Sequence, residues 1–156
     1  MTIPATHEAV RLRADHPDAA ALIAAYLAEI EARLGGFDPG RSVSADPEEM
    51  TPPAGAFVVV YEASRPVACG GVKTFAAGVG EIKRMFVSPG ARGRGLGKKL
   101  PAALEDEGRA LGFRRFVLDT AAPLIEAEAL YLASGYRRVE PYNDNPYATA
   151  WFAKEG

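Results

Sequence analysis

Three glycines stand at every second position among four basic side chains in the stretch EIKRMFVSPGARGRGLGKKL, residues 81–100. The run GLGKKLPAALEDEGRALG that follows places Leu96, Leu100, Ala103, Leu104 and Leu111 at three-to-four spacing, so Gly93, Gly95 and Gly97 fall at a helix N-terminus. Backbone N–H groups there have no helical partner and carry about half a positive charge, and glycine lets a ligand come close to the main chain. Arg92, Arg94, Lys98 and Lys99 add cations around the same point. The chemistry this arrangement suits is the binding of a phosphate ester. A Walker loop needs Gly-Lys-Ser/Thr with another glycine five residues earlier. Here Gly97-Lys98 is followed by Lys99, and the earlier position is Arg92. A dinucleotide fingerprint has an acid in Asp119 near the end of the next strand, but the glycines read G-x-G-x-G, with Lys98 where the third one belongs.

The elements that must position this loop follow from length and pattern. The chain has 156 residues, 48% hydrophobic and 24% charged, which predicts one domain over 1–156 with a single core. A net charge of −2 argues against nucleic acid as a partner, and no stretch of 18 apolar residues suggests a membrane. The N-terminus has no basic segment leading into an apolar run, and the lone Cys69 excludes an internal disulfide, so a reducing, cytoplasmic setting is expected. No Cys/His spacing predicts a metal.

The run AVRLRAD alternates as a half-buried strand. After it, DHPDAAALIAAYLAEIEARLGG reads as a helix capped by Asp15 and stopped by Gly35-Gly36. Residues 37–54 read as a loop with one helical turn around Pro47–Met50. GAFVVVYEA and PVACGGVKTF form a hairpin separated by Ser64-Arg65, and AAGVG turns into a third strand, EIKRMFV. The glycine helix comes next, ending at Gly112, with Pro101 expected to kink it or shift its first turn. A strand RRFVLDT, a helix PLIEAEALYLASG, a short strand near Tyr136–Val139 and a last strand ATAWFAK complete the order β-α-β-β-β-α-β-α-β-β. Such an order makes a mixed, three-layer α/β sheet: an antiparallel half feeding a strand-helix-strand unit whose crossover is parallel.

The pattern Arg92-Gly93-Arg94-Gly95-Leu96-Gly97 resembles the R/Q-x-x-G-x-G/A pyrophosphate loop of the acetyl-CoA-dependent N-acetyltransferase (GNAT) superfamily, and Tyr131-Leu132-Ala133-Ser134-Gly135-Tyr136 resembles its Y-x-x-x-G-F/Y segment. The resemblance covers roughly residues 55–140. It implies a mostly antiparallel sheet whose fourth and fifth strands are parallel and splay apart, often at a bulge, which Met85 or Phe86 would mark. It also implies acetyl-CoA as co-substrate, its diphosphate on the amides of Arg92, Gly93, Arg94, Gly95, Leu96, Gly97 and Lys98, and its pantetheine arm along Met85, Phe86 and Val87.

An alkyl ammonium has no lone pair and a pKa of about 10, so acetyl transfer to it needs a proton acceptor. Glu81, eleven positions before Arg92, matches the offset of a base in several relatives. Tyr131 stands where the family carries the acid that meets the leaving thiolate. The implied reaction is direct transfer from acetyl-CoA to a primary amine. Cys69 has no sequence-local base and reads as a buried thiol rather than a nucleophile.

Acceptor contacts in the family come from regions that here hold Tyr26, Phe37, Arg41, Lys83, Tyr142, Asn143 and Tyr147, with Phe37, Lys83 and Tyr142 the leading candidates. Lys83 shares a strand face with Glu81 and could pair an acceptor carboxylate. A small-molecule or amino-acid-like amine is the first expectation. A protein lysine or N-terminal amine, or a non-catalytic acyl-CoA sensor, are the alternatives, and monomer or homodimer stays open. Two departures from the family stand out. Leu124 occupies the place of a cofactor-contacting Asn, for which Asp119 and Thr120 are the candidate substitutes, and Pro101 interrupts the glycine helix.

Overall fold

A computed structural model describes residues 6–36, 45–120 and 125–156. Its elements are β1 (His7–Arg11), α1 (Pro17–Leu34), β2 (Gly55–Glu62), β3 (Arg65–Ala76), β4 (Val79–Val87), α2 (Leu96–Ala110), β5 (Arg115–Thr120), α3 (Ile125–Ala133), β6 (Arg137–Val139) and β7 (Ala150–Glu155). A 3₁₀ turn spans Pro47–Met50, as expected, and another spans Pro89–Ala91.

The seven strands form one sheet in the order β1-β2-β3-β4-β5-β7-β6, and every neighbouring pair is antiparallel except β4 with β5. This is the mixed α/β sheet expected from the sequence. Strict alternation sends Phe57 and Val59 to one face and Val58 and Val60 to the other. On the first face they meet Ala19 and Leu22 of α1, Met50, Cys69 and Phe86. On the second, Leu96, Leu100 and Leu104 of α2 pack with Val72, Ile82, Phe116, Leu118 and Phe152, and Tyr131 of α3 leans on the same cluster. Among the described residues no helix is long and apolar enough to cross a membrane.

Three local expectations are corrected. His16, not Asp15, caps α1: its Nδ1 accepts from the Asp18 N–H at 3.1 Å, while both Asp15 carboxylate oxygens are taken by Arg13 at 3.0 Å. The first hairpin turns at Ala63-Ser64, both at positive φ (49° and 68°), because Arg65 already pairs with Glu62 in the ladder. Finally, α2 runs unbroken through the buried Pro101. The proline lies one turn in, and Lys98 and Lys99 both donate to the Gly95 carbonyl at 3.2 Å, closing the first turn ahead of it.

Two features of β4 shape the functional region. It pairs with β5 at only three positions, Val79–Glu81 against Arg115–Val117, although β4 continues to Val87 and β5 to Thr120. Past Glu81 the strands therefore part. Opposite β3, Cys69 pairs with Phe86 and Gly71 with Lys83, so Arg84 and Met85 together face Gly70. The bulge thus lies one residue ahead of the two expected candidates as well as on Met85. Arg84 carries its strain, with φ at +58°.

Candidate active site

Beside the end of β4 that β5 leaves unpaired lies a cavity of about 400 Å³. Its lining joins Met85, Phe86 and Val87 of β4, the loop residues Ala91, Arg92, Gly93 and Gly95, the start of α2 from Leu96 to Lys98, Tyr26, Glu29, Ile30 and Arg33 of α1, and Leu130 and Tyr131 of α3. Gly93 and Gly95 both adopt φ +83°, a left-handed conformation that residues with a Cβ rarely take, and beyond the chain neighbours no described residue lies within 4 Å of where a Cβ would stand at either. The first turn of α2 thus presents free main chain to the cavity.

The arginines are arranged differently from a set of free cations. One Arg92 terminal nitrogen donates to both oxygens of Glu29 at 2.8 Å, its Nε donates to the Val87 carbonyl at 2.9 Å, and the guanidinium lies 5.9 Å from the Phe86 ring centre. Arg94 turns to Glu62 and, alone among the residues expected at the cofactor, does not line the cavity. Lys98 lines it.

Tyr131 is a cavity residue whose ring is held between Tyr136 (6.2 Å between centres) and Phe152 (5.9 Å). Its hydroxyl has no hydrogen-bond partner among the described residues. Burial, and then the neighbouring Tyr26 and Asp119, push its pKa well above the ordinary phenol value, so it stays protonated and able to donate.

Glu81 stands at the point where β4 and β5 separate and is only 1% exposed, far from the solvated strand-start acid its position could also suggest. Its Oε2 accepts from the Tyr142 hydroxyl at 2.7 Å and from Asn143 Nδ2 at 3.4 Å. The same Asn143 nitrogen donates to Asp119 at 2.7 Å, and Asn145 adds a 3.3 Å bond to that carboxylate. Trp151 Nε1 donates to Asn143 Oδ1 at 2.9 Å, which fixes the amide with its N–H groups toward the two acids. Burial, and then the charges of Glu81 and Asp119, drive the Tyr142 pKa far above the usual phenol range. Phe75 holds the ring edge-on at 4.9 Å.

Lys83 follows Glu81 by two along β4 and, like Arg84, has no ion-pair partner among the described residues. Arg84 acts on the Tyr26 hydroxyl and on Cys69, partly offsetting the burial that raises both groups to about 12. Cys69 donates to the Arg84 carbonyl at 3.4 Å and is fully buried. Phe37, Arg41 and Leu124 lie outside the described residues. Of the two stand-ins for the Asn missing at Leu124, Asp119 is committed to Asn143 and Asn145, whereas the Thr120 hydroxyl is buried without a partner among the described residues.

Glu29, Leu130 and Trp151 were not singled out from sequence. Helical spacing puts Tyr26 and Ile30 on one stripe of α1, and Glu29 borders it, but the Glu29–Arg92 pair spans 63 positions and leaves no local signal.

Comparison with known proteins agrees with this geometry. Residues 21–136 match the model of the Acetyltransferase (GNAT) family. The chain is 34% identical over 121 residues to the IAA acetyltransferase of Azospirillum brasilense, covering 76% of this chain and 78% of that one. It is 32% identical over 140 residues to an uncharacterized N-acetyltransferase of Schizosaccharomyces pombe, covering 88% and 86%. The crystal structure of a GNAT-family acetyltransferase from Staphylococcus aureus superposes with a TM-score of 0.79 at 16% identity, over 96% of this chain and 99% of that one, a likeness of fold. With the splayed strands, the bulge and the glycine-led helix all in place, the chain belongs to the GNAT family of acetyltransferases.

Proposed function

We propose that this acetyltransferase moves an acetyl group from acetyl-CoA directly to the primary amine of a small-molecule or amino-acid-like acceptor. The observation that carries the reading is the cavity beside the unpaired end of β4, whose lining joins the glycine turn to Tyr131. The N–H groups of Gly93 to Gly97, which have no main-chain partner among the described residues, suit a diphosphate, and the edge of β4 from Met85 to Val87 that β5 leaves unpaired suits the amides of the pantetheine arm. Arg92 serves this site from behind, bonding the Val87 carbonyl and tying the loop to Glu29 of α1.

In the reaction, the ammonium loses a proton toward Glu81, and the amine nitrogen attacks the thioester carbon. The carbon–sulfur bond then breaks, and the departing sulfur takes a hydrogen bond or proton from Tyr131. Removing a proton from nitrogen and supplying one to sulfur each contribute about 10²- to 10⁴-fold when done by a positioned side chain. Charge placement supports an amino-acid-like acceptor. Glu81 and Asp119 are held only by neutral donors in the hydrogen bonds of the described residues, and among those residues Lys83 and Arg84, on the strand of Glu81, have no ion-pair partner. A zwitterion, ammonium toward the acids and carboxylate toward the bases, complements that division.

Thermal shift in acetyl-CoA, CoA, NAD and ATP tests the cofactor assignment, because a ligand at 100 times its dissociation constant stabilises by about 2.7 kcal/mol. Acetyl-CoA and CoA should stabilise and NAD should not. Thiol release across a panel of amines and amino acids then tests the acceptor class; acetylation of protein lysines with no turnover of any small amine would refute it.

A further inference from the structure

A base that is 1% exposed raises a question of access. Among the described residues two side chains reach the Glu81 carboxylate by hydrogen bonds, Tyr142 and Asn143. An amide nitrogen donates but cannot accept a proton, so Asn143 can orient the carboxylate without conducting. A hydroxyl does both. The Tyr142 oxygen has a lone pair to receive a proton while its own hydrogen passes to Glu81 Oε2, 2.7 Å from that oxygen.

Resting on the reading of Glu81 as the base, we propose that Tyr142 is a catalytic relay that takes the acceptor's proton on its oxygen as it hands its own to Glu81 Oε2. The step balances. An N–H bond of the ammonium breaks and an O–H bond forms on Tyr142; the original Tyr142 O–H bond breaks and one forms on Glu81. The acceptor goes from cation to neutral amine, Glu81 from carboxylate to acid, and Tyr142 is unchanged.

The surroundings suit a hydroxyl that conducts without ionising. The charged groups facing it are Glu81 of β4 and Asp119 of β5, both of which disfavour a phenolate. On β3, Lys73 lies opposite Glu81 and pairs with Glu49 at 2.6 Å, and Lys83 is the next residue on the Glu81 face of β4. The Phe75 contact and the Trp151–Asn143 bond keep ring and amide in place.

The test compares Tyr142→Phe with the parent enzyme on two amine probes: a peptide α-amine of pKa about 8 and an Nα-blocked lysine ε-amine of pKa about 10.4. Without a relay the enzyme must wait for amine already deprotonated in water. At pH 7 that is about one molecule in ten for the first probe and about one in 2,500 for the second. Tyr142→Phe should therefore lower kcat/KM by up to about 10-fold on the α-amine and up to about 10³-fold on the ε-amine, and both defects should fade as pH approaches 10. Equal losses on both probes at every pH would mean a structural role and overturn the relay.

Glu81→Gln separates this proposal from the one beneath it. If Glu81→Gln shows the same probe-dependent loss and the double variant is no worse than either single one, the two groups act in series. Loss in Glu81→Gln with none in Tyr142→Phe would sink the relay alone. No loss in Glu81→Gln would remove the base assignment and the relay together. Stabilisation of each variant by acetyl-CoA in a thermal shift confirms that the fold and cofactor site persist.

Discussion

Tyr131→Phe removes one oxygen from the cavity and nothing from the core. The ring contacts with Tyr136 and Phe152 survive, and the hydroxyl has no partner among the described residues to lose, so stability should change by less than about 0.5 kcal/mol. Tyr131→Ala, by contrast, empties an aromatic site against the core and should cost about 3 kcal/mol or more. Catalysis should respond in the opposite proportion. A thiolate leaving without its donor should lower kcat by about 10²- to 10⁴-fold, with KM for acetyl-CoA nearly constant, since the donor matters only as charge develops on sulfur.

The sign of the pH effect follows from the raised phenol pKa. A group whose pKa lies above its ordinary value keeps its proton to higher pH, so Tyr131 should introduce no alkaline loss of rate below about pH 10. Thiol release under saturating acetyl-CoA reads kcat, and urea unfolding reads stability. An acetyl thioester of a more acidic thiol should restore much of the lost rate, because a better leaving group needs the donor less. Full activity in Tyr131→Phe, or a loss that the acidic thioester does not relieve, would refute the role.

Other outcomes can be checked singly. Gly95→Asp puts a carboxylate against the diphosphate and a Cβ at φ +83°; CoA affinity by calorimetry should fall by at least about 10²-fold, and retained affinity would argue against the loop. Cys69, with its thiol raised to about 12 by burial, should react with iodoacetamide at pH 8 about 10³-fold more slowly than an ordinary thiol, and Cys69→Ala should still turn over; an acetylated Cys69 trapped with acetyl-CoA would overturn direct transfer. Gly71→Ala would drive a Cβ into the Met50 sulfur and against Phe57, so urea unfolding should show a loss of about 1–3 kcal/mol.

What was legible in the sequence was whatever short-range pattern encodes. The β-rich apolar run through Phe57–Val60 revealed a strand, leucine spacing from Leu96 to Leu104 revealed α2, and the glycines marked its anion-binding start. Met85 in the bulge was legible through the family resemblance. Competing local partners defeated the cap at Asp15, which Arg13 captures, and the turn at Ser64-Arg65, where Arg65 is already paired. Long-range polar pairing was the least visible. Nothing near Arg92 announces Glu29, and nothing near Glu81 announces that Tyr142 and Asn143, 61 and 62 positions later, will close over it. Those bonds arise only once the sheet brings β4, β5 and the segment before β7 together.

The central proposition is that the main chain at the start of α2 grips the diphosphate of acetyl-CoA. A crystal structure of the protein grown with excess acetyl-CoA tests it most directly. The prediction is phosphate oxygens within about 2.7–3.2 Å of backbone nitrogens between Gly93 and Lys98, with the thioester lying between β4 and β5 toward Tyr131. A diphosphate docked elsewhere on the protein, with the glycine turn empty, would contradict it.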